Sequence, residues 1–178
     1  MAERWFLALW PDAETQDALL AQAAPWLPAG VRPSHARDLH LTLIFLGALD
    51  PPRLACVEAA AGRVRCEHFR LEIDRIGHFG RSRVMWCAPS RSPAALLGLV
   101  SGLQCALAAC GLEPETRPYR PHLTLARKAS QPVSGALREP VDWVARELVL
   151  AHGVPGARPR YRLHRRWPLI GADPPAPV

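Results

Sequence analysis

The sequence predicts an α+β fold of two pseudo-symmetric lobes, each an antiparallel sheet with helices on its outer face, and an active-site cleft between them. Three observations carry this. Strand-like and helix-like segments alternate along the 178 residues. The phrase His-Leu-Thr-Leu occurs twice, at 40–43 and 122–125, 82 positions apart and each time behind a helix. No glycine-rich nucleotide loop follows any strand. A repeat this long marks a duplicated half rather than a solenoid. Because the chain has only 7 histidines and four threonines, the odds of a chance recurrence are on the order of a few in a thousand.

"RWFLALW" at 4–10 predicts a first strand, and "PDAETQDALLAQAAPWL" behind it a helix capped by Asp12 and stopped by Pro25 and Pro28. A strand follows over 39–46. "PPRLACVEAAAGRV" reads as a second helix, opened by proline. "HFRLEIDRIGHFG" and "RVMWCAP" pair as strands about a glycine-containing turn. "SPAALLGLVSGLQCALAACG" predicts a long amphipathic helix ending at Gly111, which leads through a proline-rich approach into a strand over 121–127. A polar loop then precedes two more strands, "WVARELVLAHG" and "RPRYRLHRRWPL". Residues 1–170 are expected to form one bilobal domain and 171–178, "GADPPAPV", a disordered tail.

Composition narrows the class. Hydrophobic residues make up 49% and charged residues 21%, as in a soluble globular protein. The net charge is +6, carried by arginine because Lys128 is the only lysine. Guanidinium forks suit phosphate oxygens, although coding bias also enriches arginine. No stretch approaches the roughly 18 apolar residues of a membrane span, and the opening "MAERWFLALW" is not expected to act as a signal peptide. The cytoplasm is the expected location. The five cysteines have no Cys-x-x-Cys pair. They are expected to be small buried hydrophobes in a reducing compartment, forming neither a disulfide framework nor a zinc site.

The repeated phrase can carry chemistry. Side chains alternate along a strand, so His40 and Thr42 share one face while Leu39, Leu41 and Leu43 take the other; His122 and Thr124 repeat the arrangement. Two lobes paired about a pseudo-twofold axis would bring the polar faces together. Two imidazoles can then serve as general acid and general base, and the threonine hydroxyls as donors to non-bridging oxygens. Phosphodiester cleavage needs that set. A lone histidine on a strand is ordinarily structural, and a threonine there reflects β-propensity; the duplication of the couple outweighs both.

"HLTLIFLG" and "PYRPHLTLAR" resemble the two H-x-T-x motifs of the 2H phosphoesterase superfamily, most closely its RNA 2',3'-cyclic phosphodiesterase branch, also called 2'-5' RNA ligase. The opening "RWFLALW", the strand "RVMWCAP", the run "GLEPETRPYRPHLTLAR" and the closing "RYRLHRRWPL" extend the likeness over nearly the whole chain. The resemblance implies a metal-free, cofactor-free enzyme that opens RNA 2',3'-cyclic phosphate ends, or small cyclic nucleotides, to 2'-phosphates, with reversible 2'-5' joining. It implies His40 as proton donor to the departing 3' oxygen, His122 as the base, Thr42 and Thr124 on phosphoryl oxygens, and Arg127 on the phosphate. A cleft between lobes of one chain needs no partner, so a monomer is expected. A nucleotide-binding module without turnover is the alternative, and a structural or metal-binding protein with a fossil repeat is a third reading.

Arg127 poses a problem of parity. Five residues from His122, it belongs to the opposite strand face unless the strand ends, bulges, or the side chain curls back. Phe45, its counterpart in the first motif, is expected in the core, and the resemblance offers contact with a base as the alternative. Tyr119 and Arg120 are near enough to reach RNA but also suit an approach loop. His35, His68, His78, His152 and His164 lack repeated context and read as surface or structural.

Overall fold

A computed structural model describes residues 3–171; apart from Gly171, the expected tail lies outside the described residues. The elements run β1 (Arg4–Leu9), α1 (Ala13–Ala23), β2 (Leu41–Gly47), α2 (Pro51–Ala61), β3 (Phe69–Phe79), β4 (Val84–Ala88), α3 (Ala94–Ala108), β5 (Leu123–Arg127), β6 (Gly135–Ala145), β7 (Glu147–Gly153) and β8 (Tyr161–Pro168). Helix starts follow their local chemistry. The Asp12 carboxylate accepts from Thr15 N at 2.8 Å to cap α1, and Asp50 accepts from Arg53 N at 2.9 Å ahead of Pro51 in α2. Gly111, at φ +70°, turns the chain after α3.

The strands join as one 8-stranded sheet in the order β6-β3-β4-β5-β2-β1-β7-β8. Two antiparallel quartets lie within it, β2-β1-β7-β8 and β5-β4-β3-β6, and these are the lobes. They share a single register pair, Leu41 opposite Leu123. The lobes are not the chain halves, because β7 and β8 return from the C-terminal end to pair beside β1. Helices cross as well: α1 leaves β1 and packs on β6, and α3 leaves β4 and packs on β2. The pieces of the duplication are therefore exchanged, which holds the two lobes against each other. Leu41, Leu123 and Leu125 are fully buried in the main core, as alternation requires.

Two expectations need correcting. The segment read as a polar loop before Trp143 is already strand from Gly135, and "WVARELVLAHG" is two strands parted at Arg146. Pro140 misdirects the sequence reading. It is tolerated because β6 is an edge strand with a register shift between Ile73 and Arg75 of its neighbour, where a missing N–H costs no ladder bond. Only Arg146 separates β6, at one edge of the sheet, from β7, next to the other, so the sheet bends back on itself.

The cysteines differ too. Cys56 and Cys110 form a disulfide across a sequence separation of 54 residues, where the sequence predicts free thiols. α2 packs on α3 and brings the two Cα atoms to 5.7 Å; spacing along the chain cannot reveal that contact. Cys87 is buried as expected, Cys66 is half-buried and Cys105 is exposed.

Candidate active site

The register of the seam builds the site. An antiparallel pairing centred on Leu41 and Leu123 aligns His40 with Thr124 and Thr42 with His122. The four side chains therefore surround one bridge on one face of the sheet. All four, together with Arg127, line a cleft of about 930 Å³, within the range of small-molecule sites. The structure thus brings the five singled-out residues together.

Both imidazoles are held in the same way. The His40 ring stands 2.7 Å through Nδ1 from the Asp38 carbonyl oxygen, and the His122 ring 2.9 Å through Nδ1 from the Arg120 carbonyl oxygen. A carbonyl only accepts, so each Nδ1 carries the proton and each Nε2 is left for the cleft. Their surroundings differ. His40 is buried in a cage of Phe6, Trp10 and Tyr161, each with its ring centroid 4.8 Å away. Burial lowers its pKa from 6.5 to about 4; the Asp38 hydrogen bond and charge oppose this, and the nearby charges of Arg127 and His122 reinforce it. His122 is half-buried and meets Phe79 edge-on at 5.1 Å.

The parity of Arg127 is resolved by a bulge. Met85 pairs with Ala126 and Trp86 with Thr124, so Leu125 is an extra residue in β5. Beyond it the faces exchange: Leu125 and Ala126 are both buried and Arg127 emerges into the cleft. β2 does the same at the equivalent residue. Leu7 pairs with Ile44 and Ala8 with Thr42, leaving Leu43 extra, and Phe45 emerges at 76% exposure. Phe45 therefore lines the cleft rather than the core, contrary to expectation. At one symmetric position the lobes carry a phenyl ring and a guanidinium.

Sequence reasoning missed several wall residues. Arg4, Phe6, Arg160 and Tyr161 also line the cleft. Arg4, Phe6 and Trp10 share a parity in "RWFLALW", a signal that face assignment could have found. Arg160 ends the β7–β8 loop and Tyr161 begins β8, and Asp38 fastens both: its carboxylate oxygens accept from Arg160 N at 2.8 and 3.0 Å and from Tyr161 N at 3.2 Å. Asp38 thus supports His40 with its carbonyl and the adjoining Arg160–Tyr161 wall with its carboxylate. Tyr119 likewise acts structurally, donating to the Thr42 carbonyl at 2.8 Å from the loop before the second motif. The cleft lining holds three arginines, two histidines and no carboxylate, an arrangement suited to an anion.

Residues 15–152 match the 2'-5' RNA ligase superfamily. The chain belongs to that superfamily. It is 33% identical over 172 residues to the RNA 2',3'-cyclic phosphodiesterase of Escherichia coli (strain K12), covering 94% of this chain and 97% of that one. A Thermus thermophilus protein of the same name is 32% identical over 158 residues, or 80% and 79% of the two chains. Among solved members of the superfamily, E. coli LigT complexed with 3'-AMP superposes with a TM-score of 0.86 at 31% identity, covering 96% of this chain and all of that one. Among the described residues no helix is long and apolar enough to cross a membrane.

Proposed function

We propose that the protein hydrolyses 2',3'-cyclic phosphate ends of RNA to 2'-phosphates, using His40 and His122 as acid and base. The observation that carries this is the meeting of two His-x-Thr pairs at one strand bridge, in a cleft lined by arginine and free of carboxylate. The names of the relatives agree.

The cyclic phosphate anion lies between the two free Nε2 atoms. Thr42 and Thr124 donate to its non-bridging oxygens, and Arg127 offsets the charge that builds up during attack. His122 Nε2 takes a proton from water as the water oxygen bonds to phosphorus. The P–O3' bond breaks, and His40 Nε2–H gives its proton to the departing 3' oxygen. The products are a 2'-phosphate and a 3'-hydroxyl. With a 5'-hydroxyl in place of water the same groups make a 2'-5' linkage, and that step run backwards breaks it. Burial favours the neutral form of His40; its donor role requires the anionic substrate, whose charge favours the imidazolium. Phe45, exposed at the cleft mouth, offers its face to a base. One chain supplies every group, so a monomer suffices. The cytoplasm is the proposed compartment, and there the Cys56–Cys110 disulfide belongs to an oxidised form.

The test is incubation of the purified protein with EDTA and a short RNA bearing a 2',3'-cyclic phosphate. Turnover to a 2'-phosphate is expected, with His40→Ala and His122→Ala each slowed about 10²–10⁴-fold. A 3'-phosphate product, or loss of turnover in EDTA, overturns the proposal.

A further inference from the structure

A second groove, of about 770 Å³, lies beyond the His40 cage between the start of α1 and strands β7 and β8. Four arginines line it: Arg37, Arg146, Arg162 and Arg166. Tyr161 lines both this groove and the cleft. Trp10, whose ring stacks on His40 at 4.8 Å, lines its near end. The two acids on its walls leave Arg37 and Arg162 unneutralised. Asp12 caps α1, and Glu147 binds Arg166 at 2.6 Å. Arg37 has no carboxylate partner among the described residues, and the Arg162 guanidinium rests on backbone carbonyls of Pro159 and Tyr161. Exposed guanidinium groups beside two aromatic rings form the lining that single-stranded nucleic acid uses: phosphates on the cations, bases on the rings.

Reaction geometry indicates which strand this would be. In an in-line displacement the departing 3' oxygen lies on the side of the group that protonates it, and water enters from the opposite side. With His40 as donor, the terminal ribose sits on the His40 side. The strand preceding it leaves in that direction, past Tyr161 and Trp10. We infer that this groove binds the RNA strand upstream of its cyclic-phosphate end, through Arg37 and Arg162. The inference rests on the hydrolytic role proposed above.

Substrate length separates the two. The experiment compares a 2',3'-cyclic mononucleotide with a six-residue RNA ending in the same cyclic nucleotide, using wild type and the Arg37→Ala/Arg162→Ala double variant. The double variant is expected to lose about tenfold in kcat/KM on the oligonucleotide and nothing on the mononucleotide. The salt dependence of oligonucleotide binding, measured by fluorescence anisotropy in a His122→Ala background, is expected to flatten in log–log slope by about 1.4 for the two lost phosphate contacts. Equal losses on both substrates, or no loss on either, overturn the groove. Failure of wild type to turn over either substrate overturns the hydrolytic role, while anisotropy still reads the groove on its own.

Discussion

His40 and His122 occupy the same place in the repeated phrase and make the same hydrogen bond to the residue two before them, yet only one is enclosed. Sequence shows the identity and hides the difference, because the cage around His40 comes from β1, from Trp10 just after it and from the start of β8, remote in the chain. The difference has a measurable consequence. In kcat/KM, which reads the free enzyme, His40 must carry its proton to act as donor, so its contribution is lost as pH rises through its pKa. A His40 pKa of about 4 starts that loss near pH 4 instead of near the usual 6.5. In kcat the loss moves upward, since the bound anion favours the imidazolium. In the residual activity of His40→Ala this loss is absent, while an acid limb from protonation of the base His122 remains. A pH dependence that His40→Ala leaves unchanged assigns the donated proton to another group.

At the scale of elements, regular alternation was legible and its interruptions were not. Period-2 patterning was enough to place His40, Thr42, His122 and Thr124 on polar faces. It set Arg127 at odds with its proposed role and sent Phe45 to the core, because an extra residue at Leu125 or at Leu43 leaves no mark in a run of leucines. Pro140 hid β6 for a related reason: a proline argues against a central strand but not against a bulged edge. Asp38 is another feature seen only in three dimensions, since its partners are more than a hundred residues away. It acts as a positioning residue for the β7–β8 loop. Asp38→Ala leaves two backbone N–H groups without their acceptor and frees Arg160 and Tyr161 from the cleft wall. The expected result is a fall in kcat/KM of about 10–100-fold on cyclic substrate, with a stability loss of about 1–2 kcal/mol. Asp38→Asn keeps a carbonyl oxygen for both donors and is expected to restore most of the activity. If Asn behaves like Ala, charge and not hydrogen bonding is what Asp38 supplies.

For the molecule as a whole, the duplication announced two lobes but not how they are interlocked. Strands β7 and β8 complete the lobe begun by β1, α1 and α3 each pack on the lobe opposite their own strand, and the lobes share only the Leu41–Leu123 pair in the sheet. The site therefore sits at the least bonded line of the sheet, and its geometry depends on what packs behind it. Helices α2 and α3, tied by Cys56–Cys110, lie in that supporting layer, and neither lines the His40–His122 cleft. Closing a loop of that length restricts the unfolded chain by about 4 kcal/mol on the chain-entropy account, and 2–4 kcal/mol is usual. Reduction, or the Cys56→Ser/Cys110→Ser variant, is therefore expected to lower the urea midpoint of unfolding while leaving kcat/KM at 25 °C within about twofold of the oxidised protein. The two readouts separate support from alignment. If reduction cuts kcat/KM along with stability, the helix pair holds the seam in register and the disulfide reaches the chemistry; if neither moves, the packing of α2 on α3 holds that layer without the bond.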